Sequence, residues 1–163
     1  MPTVYLSIGS NIEREKHIRA GVNALKLAFG KVKLSSVYES DAVGFNGSAF
    51  LNLIAAFETQ LSLAKVDLLL DHIEKDNGRT DEQRKFNPRT LDLDLVLYGT
   101  HISVDPKLEI PRDEITKYAF VLEPLAEIAG HLKHPLLHQT YNQLWAGFDQ
   151  IGVMQKRIAF DWH

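Results

Sequence analysis

Thr90 to Leu97 reads TLDLDLVL. Side chains two apart on a strand share a face, so a strand here sends Leu91, Leu93 and Leu95 one way and Asp92 and Asp94 the other. Upstream of it, Arg79 to Arg89 (RTDEQRKFNPR) is polar, lacks apolar periodicity and contains Pro88, which predicts an exposed loop. Leu63 to Gly78 places Val66, Leu69, Leu70 and Ile73 at helical spacing, with Gly78 as the stop. Phe50 to Thr59 (FLNLIAAFET) reads as a strand, although its periodicity alone leaves a short helix open. Ser40 to Ala49 (SDAVGFNGSA) is a loop. Val32, Leu34, Ser36 and Tyr38 share one face of a further strand. Ile12 to Phe29 is an amphipathic helix on Ile18, Val22, Leu25 and Phe29, with Asn11 as its N-cap and Gly30 as its terminator. Thr3 to Ile8 (TVYLSI) is the first strand, closed by turn chemistry at Gly9-Ser10-Asn11. Downstream, the pattern predicts a short strand at Ile102–Val104, a helix over Ile115–Ala129 interrupted at Pro124, and a shorter helix over Thr140–Phe148. The tail to His163 fits no one pattern.

The order strand–helix–strand–strand–helix–strand predicts an α+β fold of the ferredoxin-like, split βαβ kind: a mostly antiparallel sheet with two helices on one face. The C-terminal third adds helices packed at an edge. No repeat, low-complexity run or linker divides the chain, so a single domain over 1–163 is expected. Its 163 residues suffice for one self-supporting core.

Composition excludes several function classes. There are 18 Lys and Arg against 21 Asp and Glu, a formal charge of −3, which leaves no electrostatic footprint for nucleic acid or an anionic membrane. The chain has no Cys, so thiol catalysis, thiolate zinc sites and disulfides are out. No run approaches the ~18 apolar residues of a membrane span. The N-terminus has no basic segment ahead of an apolar run. A cytoplasmic protein is expected.

The chemistry lies in Asp92 and Asp94. Asp is depleted in strands, and two on one face repel each other and favour a counter-charge. A lone D-x-D is more often a solvated polar face than a metal site. The flanking residues shift that balance. Carboxylates ~7 Å apart along a strand can serve Mg²⁺, which needs only one or two of them when substrate phosphates complete its shell. Arg79, Arg84, Lys85 and Arg89 supply the cations that a polyphosphate requires.

The run PRTLDLDLVLYG, with Ile8-Gly9-Ser10-Asn11 after the first strand and Phe50-Leu51-Asn52 in a middle one, resembles 6-hydroxymethyl-7,8-dihydropterin pyrophosphokinase of folate biosynthesis. The likeness runs from about Val4 to about Ile128. It implies a ferredoxin-like, three-layer α/β/α fold, two Mg²⁺ ions, and ATP as co-substrate. The implied reaction moves the β,γ-diphosphate of ATP to the pterin hydroxymethyl group and releases AMP. By resemblance, Asp92 and Asp94 are the magnesium pair, Asn52 is the pterin-binding amide, and Phe120 stacks on the pterin. Phe50 matches a Tyr or Phe of the same strand. Glu74 matches an acidic residue involved in nucleotide binding. Arg79 and Arg89 match arginines of the loop over the substrates. The backbone of Val43, Gly44 and Phe45 matches the loop at the pterin edge. The partners implied are ATP and hydroxymethyl-dihydropterin, with neither nucleic acid nor membrane, and a monomer is expected.

Three positions depart from the family pattern. Arg112 stands where a phosphate-contacting His is usual, Tyr118 where Arg is usual, and Phe86 where Trp is usual. Arg112 retains a cation for phosphate binding, so the nucleotide set reads Glu74, Arg112, Arg79 and Arg89. The alternative is a diverged paralogue with altered or lost pyrophosphokinase activity that acts as a nucleotide- or pterin-binding module. An RNA-binding sheet is disfavoured because acids occupy the face where exposed aromatics would be needed. His131, His134 and His138 form the one His cluster, and Pro135 within it favours a turn over a metal site.

Overall fold

The computed structural model describes residues 1–40, 49–78 and 90–163. The elements run β1 (Thr3–Ser10), α1 (Arg14–Phe29), β2 (Lys33–Leu34), β3 (Val37–Ser40), β4 (Phe50–Glu58), α2 (Leu63–Asp76), β5 (Asp92–Tyr98), α3 (Ala119–Ala129), α4 (Tyr141–Ala146) and β6 (Gln155–Ile158). Together they form a mixed α/β structure with a six-stranded sheet ordered β5-β1-β4-β3-β6, and β2 also pairs with β4. Every described pairing is antiparallel.

Alternation works as expected on β1, β4 and β5. Val4, Leu6, Ile8, Leu51, Leu53, Leu91, Leu93 and Leu95 face one core, which Ile18, Val22 and Leu25 of α1 and Val66, Leu70 and Ile73 of α2 close. Ile54 and Val96 face the other way, into a second core with Val121, Leu122 and Leu125 of α3 and Tyr141 of α4. Each fully buried Leu, Ile or Val is worth about 1.5–3 kcal/mol of transfer energy, so both faces of the sheet are strongly held.

That second core corrects the expected placement of the C-terminal third. Its helices cover the other sheet face, and it is β6 that sits at the edge, paired with β3. The helix at Pro124 is not interrupted either. Pro124 lies buried inside a continuous α3, and a separate 3-10 turn covers Asp113–Thr116. An internal proline costs about 3 kcal/mol, and burial of Val121, Leu122 and Leu125 outweighs it.

Four local expectations also change. Gly9 and Ser10 belong to β1, not to a turn, because Gly9 is paired on both sides, with Asn52 and with Asp92. Asn11 does not cap α1. The cap position is Glu13 in the left-handed region (φ 41°) with no side-chain cap bond, and His17 Nδ1 lies 2.6 Å from the Ile12 carbonyl. The second strand is split at Ser35-Ser36. The Ser35 hydroxyl accepts from Ile54 N–H at 2.8 Å, replacing a main-chain partner and turning the chain out of the ladder. Ile102–Val104 forms no strand, only a single bridge from Ser103 to Ile110.

Candidate functional site

The site grows from one row of the sheet. Gly9 of β1 lies opposite Asp92 on one side and Asn52 on the other, and Asn52 lies opposite Tyr38 of β3. Directly opposed residues share a face. One step along, Ser7 lies between Asp94 and Ile54. Phe50, two residues before Asn52, is half-buried on that same face. Strand spacing of ~4.8 Å puts Asp92 and Asn52 about 10 Å apart across the bare backbone of Gly9. A Cβ at Gly9 would lie 2.8 Å from Asn52 Oδ1, so the glycine is what lets the amide lie over β1. Asn52 is 6% exposed, and its Nδ2 is 3.4 Å from the Ser40 hydroxyl.

Asp92 and Asp94 are both half-buried on this face while their leucine neighbours fill the first core. Burial first, then the charge of Asp92 and a hydrogen bond between the two carboxyl groups, raise the pKa of Asp94 well above the ordinary carboxylate range, and Arg112 opposes the shift. Arg112 Nη2 is 3.6 Å from Asp94 Oδ1, and its Nε donates to Glu114 Oε1 at 2.7 Å. Burial works against the Arg112 charge, but Asp94 and Glu114 overcome it and hold the guanidinium charged.

Two neighbouring carboxyl groups on one face, offering only oxygen, are a donor set that suits a hard divalent cation. Among the described residues no group of three or more His, Asp or Glu surrounds a common point.

β5 is an edge strand, and two groups cover its outer side. Glu74 Oε2 of α2 accepts from Leu93 N–H at 2.7 Å, and Arg112 N–H donates to the Val96 carbonyl at 3.0 Å. Glu74 is 7% exposed. It stands in the helix layer behind β5 and touches the aspartate strand through its backbone. Phe120 lies in the first turn of α3, the helix that covers the site face. Its ring stacks on Tyr118 with centroids 5.0 Å apart and planes at 17°, half-buried against the second core. Arg79, Arg84, Lys85, Phe86 and Arg89, and Val43, Gly44 and Phe45, lie outside the described residues.

Asp92, Asp94, Asn52, Phe50 and Arg112 are thus gathered on one sheet face and its margin, Phe120 is on the helix covering that face, and Glu74 is behind it. Sequence reasoning gave no part in the site to Ser7 or Glu114, and read Gly9 as a turn residue rather than as part of the site row. An isolated glycine in a strand is a signal of close approach by another group, and that signal was present at Gly9. Nothing in Asp113-Glu114-Ile115 marks Glu114 as buried. The His cluster is a turn: His134 Nδ1 accepts from the N–H groups of Leu136 and Leu137, each at 3.2 Å.

The family model described as 7,8-dihydro-6-hydroxymethylpterin-pyrophosphokinase (HPPK) matches residues 5–130. A curated protein of Aquifex aeolicus named 2-amino-4-hydroxy-6-hydroxymethyldihydropteridine pyrophosphokinase is 36% identical over 145 residues, 88% of this chain and 90% of that protein. One of the same name from Bacillus subtilis is 39% identical over 133 residues, 79% of each. Among solved structures, a Plasmodium falciparum HPPK-DHPS triple mutant with pteroate superposes with a TM-score of 0.76 at 14% identity, covering 96% of this chain. The chain spans 46% of that longer protein, and the likeness there is one of fold.

Proposed function

The chain belongs to the 7,8-dihydro-6-hydroxymethylpterin-pyrophosphokinase family, and from that premise we propose how its residues divide the work. It is an ATP-dependent pyrophosphokinase that transfers pyrophosphate from ATP to hydroxymethyldihydropterin in folate biosynthesis. This reading is preferred to that of a diverged binding module. The observation that carries the site assignment is the row Asp92–Gly9–Asn52 on one face, with Asp94 one step along.

Asp92 and Asp94 would hold the metal, as a pair of Mg²⁺ ions, which would supply charge neutralisation for the triphosphate. Asn52 both donates and accepts, so its amide matches the donor–acceptor edge of a pterin. Phe50 and Phe120 supply aromatic walls. Arg112 binds phosphate oxygen in place of a His, and Arg79 and Arg89 screen charge on the transferred group and on departing AMP. Val43, Gly44 and Phe45 contact the pterin edge through their backbone. Glu74 acts on the nucleotide end by fixing the backbone of β5. Transfer is read as direct, from ATP to the pterin hydroxyl. We read residues 1–163 as one domain and the order β5-β1-β4-β3 as the split βαβ arrangement, acting as a monomer in the cytoplasm. Among the described residues, no helix is long and apolar enough to cross a membrane.

The test is to mix the protein with ATP, Mg²⁺ and hydroxymethyl-dihydropterin and to measure AMP, with a control lacking pterin. Pterin-dependent AMP is expected, and Asp92→Asn and Asp94→Asn should each abolish it. Normal turnover in both variants would remove the metal role.

A further inference from the structure

We propose that Glu114 is a positioning residue for the nucleotide: it fastens one edge of the Arg112 guanidinium so that the other edge stays beside Asp94, ready to take a phosphate oxygen.

The geometry is asymmetric. The Arg112 Nε–Glu114 Oε1 contact is a short charge-assisted hydrogen bond at 2.7 Å, whereas Nη2–Asp94 Oδ1 is a loose ion pair at 3.6 Å. The side chains of Arg112 and Asp94 are 29% and 28% exposed, but that of Glu114 is 5%. A buried carboxylate is costly unless it is paired, so the pair with Glu114 persists while the contact with Asp94 can be exchanged. A guanidinium has separate donor edges in a rigid fork. With Nε committed to Glu114, the Nη edge is the one that faces the aspartates. The main chain reinforces this, because Arg112 N–H is tied to the Val96 carbonyl of β5 at 3.0 Å. Arg112 is therefore held at its main chain and at its Nε, while its tip makes the looser contact with Asp94.

Asp94 and Glu114 both contact this one guanidinium, and the charge of Asp92 acts on it as well. If Glu114 let go, Arg112 would be drawn onto the Asp92–Asp94 pair and would oppose a divalent cation there. Anchored, it leaves the pair to the metal and turns its free edge to the triphosphate. Arg112 stands where a His is usual in the family, so a second group is needed to restrain the longer side chain. The inference rests on the proposed nucleotide site over β5.

The experiment measures binding and stability, so its outcome is separable from that of turnover. Glu114→Gln is expected to weaken binding of α,β-methylene-ATP with Mg²⁺ about tenfold, equivalent to ~1.4 kcal/mol, while hydroxymethyl-dihydropterin binds within twofold of wild type. In an Arg112→Ala background the same substitution should change analogue affinity less than twofold. Arg112→Lys keeps the charge but has no second edge, and should lose affinity to the same extent as Glu114→Gln. It also serves as the readout if Glu114→Gln does not fold. In the metal-free protein the melting temperatures of the two single variants and the double variant should be non-additive. Equal effects of Glu114→Gln in both backgrounds, unchanged analogue affinity in a folded Glu114→Gln protein, or wild-type affinity in Arg112→Lys would each overturn the inference. Absence of pterin-dependent AMP in the wild type would instead overturn the functional reading.

Discussion

Gly9→Ala is the sharpest test of how the sheet builds the proposed pterin seat. The added Cβ would lie 2.8 Å from Asn52 Oδ1, with Asn52 Cγ and the Leu51 carbonyl oxygen next, both at 3.8 Å. Only the first contact is too close, and it is with the end of a side chain, so the backbone stays in place and the amide swings away. Stability changes little: Gly→Ala gains about 0.4–1 kcal/mol through the unfolded chain, and pushing a side chain off its rotamer costs about 0.5–1.5 kcal/mol. Function changes more. Asn52 is buried and has little room to restore its aim. Two lost amide–pterin hydrogen bonds at about 0.5–1.5 kcal/mol each amount to roughly 5- to 150-fold in affinity. The assay is calorimetric titration of hydroxymethyl-dihydropterin in the presence of Mg²⁺ and a non-reactive ATP analogue, alongside a thermal melt. The expected result is a melting temperature within a few degrees of wild type, unchanged analogue affinity, and pterin affinity reduced as far as in Asn52→Ala. The double variant should be no worse than either single one. Pterin affinity within twofold of wild type in Gly9→Ala would refute the reasoning.

Two further predictions concern the α3 face. Burial pushes the Glu127 carboxyl up, but hydrogen bonds from the Tyr38 hydroxyl and from the Ser36 N–H and hydroxyl, with Arg157 nearby, hold it below the usual carboxylate range. The unfolded chain therefore takes up this proton first as pH falls. The stabilisation is full above the ordinary Glu value and is lost as pH drops through the depressed one. Tyr38→Phe should cost about 1–2 kcal/mol at pH 7 in urea unfolding, with the difference from wild type shrinking toward pH 3; a difference that does not vary with pH would count against the network. The Tyr141 hydroxyl is buried with no hydrogen-bond partner among the described residues. Tyr141→Phe should therefore raise stability by about 1 kcal/mol in a thermal melt, and a loss of that size would show a partner there.

Much of this was legible because it depends on near neighbours in the chain. Leu91, Leu93 and Leu95 alternate with Asp92 and Asp94, and a period of two admits one strand with one acidic face. Ile18, Val22 and Leu25 could only be a helix facing a core. β6 was not legible: Gln155–Ile158 is an edge strand with both middle residues exposed, so no alternation is written into it. Pro124 looked like a break because its local cost is visible in sequence while the second core that outweighs it is not.

The sequence by itself determined which residues could be chemical: an acidic pair on a leucine strand, an asparagine in an apolar one, and an arginine beside a proline. Only the tertiary structure decided their relation. Asp92 and Asn52 lie 40 positions apart in the chain, and β1 brings them into one row by passing between them. Glu74 reaches Leu93, and the buried Glu114 meets a half-buried Arg112, through packing that no local pattern records. Periodicity encodes the direction of a side chain from its own backbone, whereas a binding site is set by distances between backbones, and those come from the balance of two cores on one sheet.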